Sequence, residues 1–259
     1  MMQNMDVQMT TKIKPQRQGI LSVPSPYFGN WEYGFFTQPV RPKRRLAIWM
    51  HNNCGARSKR HELVKQLMKY MQVDSYGKCL HNKDDKRARS DPLALVGEYK
   101  FYIMLENVFG DDDWVSSTFF RTIAVGTVPV YKGAPNIAKF LPHKDAAILW
   151  DDYQDVEALA NRLKYLDEHD DEYMKHLAWK KNGASNAFQS LMSINDVDPW
   201  CRLCGEVAGN KGFANEETMK MNEWTRRWHE LHDDQTTSDG GPEFRNQPKR
   251  VETRSRPKI

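Results

Sequence analysis

With 259 residues, 39% of them hydrophobic and 28% charged, the chain has a globular composition and enough material for one large core or two modest ones. Its formal net charge is +4, and 240–259 alone carry six Lys/Arg against two Glu, so the body is close to neutral and nothing argues for a nucleic acid partner. No window approaches the roughly 18–20 consecutive apolar residues of a membrane span, and none shows the basic and apolar regions of a signal peptide.

Residues 1–19 are polar and patternless, which predicts disorder. From Ile20 to Pro42 the text is rich in Pro, Gly and aromatics, so 20–44 is expected to be an irregular segment lying across a surface between domains. Arg45 to Met50 reads as a strand running into the small-residue loop His51-Asn52-Asn53-Cys54-Gly55-Ala56-Arg57. Leu63, Leu67, Tyr70 and Met71 then recur at helical spacing. A strand that opens through such a loop into a helix aims backbone N–H groups outward, which suits a phosphate. Arg57 and Arg60 fall at the start of that helix, and guanidinium forks match diphosphate oxygens. Val73 to Cys79 is a short strand and turn, and His81 to Asp91 a loop of mixed, solvated charge.

The chain is organised around Tyr99–Gly133. Tyr99 to Leu105 is an apolar run of strand length, and Glu106-Asn107 stands where it ends. The acidic loop Gly110–Asp113 leads to a helix expected from Trp114 to about Val125. Gly126 stops it, and Thr127 to Tyr131 forms a second strand, followed by Lys132 and Gly133. Two strands joined by a helix make a βαβ unit. Polar groups at the carboxyl end of its first strand lie where open α/β sheets bind ligands.

A short helix is expected from Ala134 to Leu141 and a strand over Ala146–Trp150. Helices are expected over Asp155–His169, with Val156, Leu159, Leu163 and Leu166 on one face, and over Glu172–Lys181. Met221, Trp224, Trp228 and Leu231 mark one face of a terminal helix over 209–232, and 233–259 reads as a disordered basic tail. Of the four cysteines, Cys54 and Cys79 flank the first helix, while Cys201 and Cys204 form a CxxC. Structural disulfides are favoured, with a zinc site and a redox pair as the other readings.

Lys100-Phe101-Tyr102 with Glu106-Asn107, the acidic loop, Trp114-Val115-Ser116 and Gly126-x-Val128-Pro129-Val130-x-x-Gly133 resemble the donor-binding motif of the α1,3-fucosyltransferases that use GDP-fucose. The Asn53-Cys54-Gly55-Ala56-Arg57, Val73-to-Cys79 and Cys201-Arg202-Leu203-Cys204 strings are similar to the plant and algal type that fucosylates N-glycan cores. The likeness covers about residues 24–208. It implies an α/β fold over 45–208: the Rossmann-like donor-nucleotide domain of a GT-B glycosyltransferase, whose N-terminal acceptor domain and membrane anchor are not in this chain. It also implies disulfides, a Golgi setting, and transfer of fucose from GDP-fucose to an N-acetylglucosamine of a glycoprotein N-glycan in α1,3 linkage.

For the site, the resemblance implies that Arg60 contacts the donor diphosphate, with Asn107, Trp114, Ser117 and Thr118 completing donor binding. Arg57, Glu106 and Lys132 are weaker candidates. Ser117 and Thr118 occupy positions where the family has Glu for the ribose and Lys for the phosphates. Losing a charged contact to a desolvated phosphate costs on the order of 1.5–3 kcal/mol. A catalytically impaired protein that only binds nucleotide or glycan is therefore the alternative reading. The catalytic base is a carboxylate expected upstream, and Glu32 is nominated by position only. No cofactor is required by the resemblance. Asp111-Asp112-Asp113 has a spacing by which other glycosyltransferases hold Mn²⁺, but a solvated loop is the favoured reading.

Overall fold

The computed structural model describes residues 7–10, 21–24, 40 and 45–193. Over the last of these stretches five parallel strands form one sheet: β3 (Arg45–Trp49), β4 (Asp74–Ser75), β5 (Tyr99–Leu105), β6 (Val128–Lys132) and β7 (Ile148–Leu149), in the order β4-β3-β5-β6-β7. All seven residues of β5 are buried, which an apolar run achieves only as a central strand covered on both faces. Phe101, Ile103 and Leu105 point to one face and Tyr102 and Met104 to the other.

Two helical layers cover those faces. α1 (Arg60–Leu67) and α5 (Val156–Glu168) lie on the Phe101 side, burying Val64, Leu67, Leu159, Leu163 and Leu166 completely. α4 (Ser117–Ala124) lies on the Tyr102 side with Phe119, Phe120 and Ile123, joined by Phe188 of α8 (Asn186–Ser193). Each such side chain contributes about 1.5–3 kcal/mol of burial. The chain leaves β3 toward β4 and then crosses to β5 on the other side of β3. The strand order therefore reverses between β3 and β5, and that crevice is the switch point where doubly wound sheets bind ligands.

Local chemistry explains the boundaries. Asp155 Oδ1 accepts the Ala158 N–H at 2.8 Å and starts α5, and Asp91 does the same for α3 (Pro92–Val96) through the Ala94 N–H at 3.1 Å. Gly126 ends α4 with φ of 72°, a left-handed backbone that favours glycine. Lys180 Nζ then caps the C-terminal end of α4, donating to the Ala124 carbonyl at 2.7 Å.

Several expectations are corrected. α4 begins at Ser117, not Trp114, because Ser116 keeps an extended backbone (φ −75°, ψ 157°) while its N–H is drawn to Glu106. The strand expected over Ala146–Trp150 shrinks to β7, since Trp150 already turns into a 3-10 helix (Trp150–Asp152). Glu172–Lys181 divides into α6 (Asp170–Lys175) and α7 (Trp179–Asn182), with His176 Nδ1 at 2.6 Å from the Asp145 carbonyl in the break. The charged loop carries a one-turn helix, α2 (Arg87–Ser90), whose Arg87 is held by Asp85 and Glu98. Tyr70 is 43% exposed and leaves the apolar face assigned to it. Val7–Thr10 (β1), expected to be unstructured, pairs in parallel with Leu21–Pro24 (β2), which falls in the linker-like segment. The terminal helix, the basic tail, Glu32, Cys201 and Cys204 lie outside the described residues. Among the described residues no helix is long and apolar enough to cross a membrane.

Candidate functional site

The β3–β5 crevice is closed by short hydrogen bonds between the loop after β3 and the end of β5. The Ser58 Oγ–H donates to the Glu106 carbonyl at 2.7 Å and the Ser58 N–H to the Asn107 carbonyl at 3.0 Å. Asn53 Nδ2 reaches Asn107 Oδ1 at 3.4 Å. Ser58 was not picked out from the sequence, where nothing distinguishes a serine in a polar loop. A disulfide between Cys54 and Cys79, with Cα atoms 5.4 Å apart, ties the loop after β3 to the turn after β4. For this pair the zinc and redox readings give way to a structural bond.

Arg60 opens α1 yet is only 4% exposed. Its Nη1 donates to the Leu105 carbonyl at 2.7 Å, and its buried Nε has no hydrogen-bond partner among the described residues. Burial lowers its pKa, opposed by Tyr102 and Glu106. A solvated first-turn arginine is thereby excluded. His51, which follows β3 and was read from the sequence only as part of a loop, has the same character. Its Nε2 is buried without a partner among the described residues, and its ring leans on Trp49 and the edge of Tyr102 with centroids 5.4 and 6.2 Å away. Burial, with Arg60 second, pushes its pKa down to about 3, so the imidazole is neutral.

Glu106 is 2% exposed and turns under α4, where Oε1 accepts the Ser116 N–H at 2.8 Å. A Cβ at position 133 would come within 2.5 Å of the Glu106 Cγ and of the Tyr131 hydroxyl, so only glycine admits this arrangement. Burial pushes the Glu106 carboxyl up to about 7, against the Ser116 hydrogen bond and the Arg60 charge. Glu106 thus stands beneath the start of α4 and holds it, while Ser117 and Thr118, both half-buried, form its first turn.

The crevice brings together Arg60, Glu106 and Asn107, with the α4 start directly above Glu106. Trp114 is half-buried, its carbonyl 3.5 Å from the Tyr131 hydroxyl, and Arg57 is exposed. Lys132 pairs with Asp151 and lies over the Phe109 ring at 5.3 Å, so its charge is directed to Asp151 and not toward Thr118. In the acidic loop, Asp113 and Asn136 bond reciprocally: Asn136 Nδ2 donates to Asp113 Oδ1 at 2.7 Å, and the Asp113 N–H to Asn136 Oδ1 at 2.9 Å. That carboxylate fastens the loop to the turn after β6. Among the described residues no group of three or more His, Cys, Asp or Glu is placed to hold a metal ion.

A doubly wound parallel sheet covered by helices on both faces defines a Rossmann-like domain of the GT-B type. Residues 40–224 match the family description glycosyltransferase family 10 (fucosyltransferase), C-terminal part, and the chain belongs to that family. It is 37% identical over 216 residues to a fucosyltransferase-like protein of Arabidopsis thaliana, covering 82% of this chain and 40% of that one. It is 36% identical over 199 residues to GDP-fucose protein O-fucosyltransferase 3 of Danio rerio, covering 68% of this chain and 43% of the relative. The chain thus spans about two fifths of the length of these curated relatives. A solved α1,3-fucosyltransferase with GDP shares the fold at a TM-score of 0.51 and 15% identity, over 66% of this chain and 64% of the other.

Proposed function

We propose that this chain is the donor-binding part of a fucosyltransferase that takes fucose from GDP-fucose. Arg60 carries the reading: a buried guanidinium at the switch point whose Nε–H is unused among the described residues. A buried cation is costly unless an anion meets it, and the diphosphate of a nucleotide sugar is such an anion. In inverting transfer an acceptor hydroxyl attacks the anomeric carbon of fucose, the bond from that carbon to the diphosphate oxygen breaks, and a base takes the hydroxyl proton. Arg60, with Arg57 at the rim, offsets the charge gathering on departing GDP. Asn107, Trp114, Ser117 and Thr118 orient the nucleoside and sugar, and the base comes from outside the described residues.

Two acceptors are supported. A protein hydroxyl is favoured by the relatives named protein O-fucosyltransferase. N-acetylglucosamine of an N-glycan, in α1,3 linkage, is favoured by the similarity of the Asn53–Arg57 and Val73–Cys79 strings to the core-fucosylating type. Incubation with GDP-fucose and each acceptor class, read by mass gain and linkage analysis, separates them. The Cys54–Cys79 disulfide supports an oxidising compartment and so a Golgi lumen or membrane setting. A binding-only role rests on Ser117 and Thr118 being uncharged and on Lys132 being held by Asp151. Titration calorimetry with GDP tests the shared core of these readings: heat at submillimolar ligand is expected, and none at millimolar GDP overturns donor binding altogether.

A further inference from the structure

Beside the crevice, on the β4 side, a cleft of about 840 Å³ opens between Met50 and Asn52 after β3, the Tyr76–Lys78 turn after β4, and the His81–Arg89 segment. Its floor is Met50, Tyr76 and Ala88, and its rim is charged. The rim charges are unequally engaged. Lys83 is paired with Asp74 and Asp85 with Arg87, while the His81 imidazole lies 3.1 Å from exposed Asp84. Lys78, Lys86 and Arg89 are exposed and make no ion pair or side-chain hydrogen bond among the described residues. Exposed Asp84 offsets one of these three charges, so the rim keeps an excess of positive charge in a body that is otherwise close to neutral.

We propose that this cleft docks the acceptor: it takes a polypeptide segment with spaced carboxylates, which lays its apolar side chains on Met50, Tyr76 and Ala88 and its acids on Lys78, Lys86 and Arg89. The proposal rests on the fucosyltransferase reading and names the acceptor side of the same site. Three observations carry it. The volume falls within the few hundred to 1,000 Å³ typical of ligand clefts and far exceeds what one small anion needs. The cations come from two segments, Lys78 from the turn after β4 and Lys86 and Arg89 from α2 and its cap, with Asp84 and Asp85 in the same lining, which suits separated carboxylates and opposes a dense polyanion. The cleft shares the loop after β3 with the donor crevice. Asn52 lines it and accepts the Lys78 N–H at 3.0 Å, the neighbouring Asn53 bonds Asn107, and the Cys54–Cys79 disulfide holds the Lys78 turn against the same loop. A segment lying here would run beside a nucleotide sugar held between β3 and β5.

The test uses the full chain and a short fluorescein-labelled peptide with Glu at alternate positions between apolar residues, alongside its Gln counterpart. Fluorescence anisotropy is expected to show salt-sensitive binding of the Glu peptide and at least tenfold weaker binding of the Gln peptide. The triple variant Lys78→Gln, Lys86→Gln, Arg89→Gln, all at exposed positions, is expected to weaken the Glu peptide about tenfold while binding GDP as the parent does. Replacing the basic residues of 245–258 by Gln is expected to leave peptide binding unchanged, which separates the cleft from the charged tail. Failure of the parent to bind the Glu peptide at millimolar concentration, an unaffected triple variant, or displacement of the peptide by a sulfated oligosaccharide at lower concentration each overturns the proposal. Peptide binding by a chain that takes no GDP would sink the donor reading while leaving the cleft a peptide site.

Discussion

Two buried polar clusters flank β3, and they are built on opposite terms. In the first, Asp74 accepts from Lys83 at 2.8 Å, from the Tyr99 hydroxyl at 2.6 Å and from Gln72 at 2.9 Å, while Arg45 donates to Tyr76 and Tyr99 at 2.8 and 3.1 Å. Burial works against the Asp74 charge, yet these donors hold its pKa below the ordinary value. Its charged groups each have a partner, so the cluster joins β3, β4 and β5 as a structural unit. In the second, Arg60 and His51 each keep a buried nitrogen without a partner among the described residues, beside a carboxyl raised to about 7. A fold that satisfies one cluster and leaves the other short of partners marks the second as the candidate ligand site.

That contrast can be broken by experiment. The largest effect is expected from Asp74→Ala, which strands Lys83 and Tyr99. Chemical denaturation should show a loss of about 3–5 kcal/mol with GDP affinity preserved in the folded fraction; a neutral substitution would mean the network is ornamental. Glu106 comes next. Its folded-state pKa of about 7 lies above the ordinary 4.5, so its contribution to stability is present below pH 4.5 and lost as pH rises through 7. Relative to Glu106→Gln, the parent should lose about 3 kcal/mol across that window. A flat difference between the two proteins would show that the carboxyl is not desolvated.

Arg60→Met sharpens the comparison most. Replacing a buried, half-paired cation by an apolar side chain should change stability by no more than about 1 kcal/mol, while GDP binding by calorimetry weakens roughly 10–100-fold. Large destabilisation with unchanged GDP affinity would move Arg60 into the structural class with Asp74. The smallest effect is expected from Ser117→Glu with Thr118→Lys, which restores charge at the first turn of α4 and should tighten GDP about tenfold. No change would place those two side chains outside the donor site.

Much of the fold could be read because its signals are local. β5 came out with its observed ends from a seven-residue stretch that is apolar but for Lys100, α5 from its apolar spacing, and the α4 stop from Gly126. The start of α4 and the ends of β7 could not be read, since both are set by contacts from elsewhere: the Glu106 carboxylate beneath Ser116, and the limited pairing of β7 with Tyr131 and Val130. Of the candidate site, Arg60, Glu106 and Asn107 were named from their places at strand and helix ends, and the crevice brings these three together. His51 and Ser58 were not, because an unpaired nitrogen and a hydrogen bond across 48 residues have no trace in local spacing.

The order of residues alone is enough for the family, the parallel α/β architecture and the missing charge at Ser117 and Thr118, because motif strings and apolar periodicity survive without coordinates. Burial and partnership belong to the folded chain. Arg60 reads as a surface cation until β3 and β5 close over it, and Lys132 reads as a spare cation until Asp151 meets it. The energy of a charge is set by what surrounds it in space, and its neighbours in sequence say little about that.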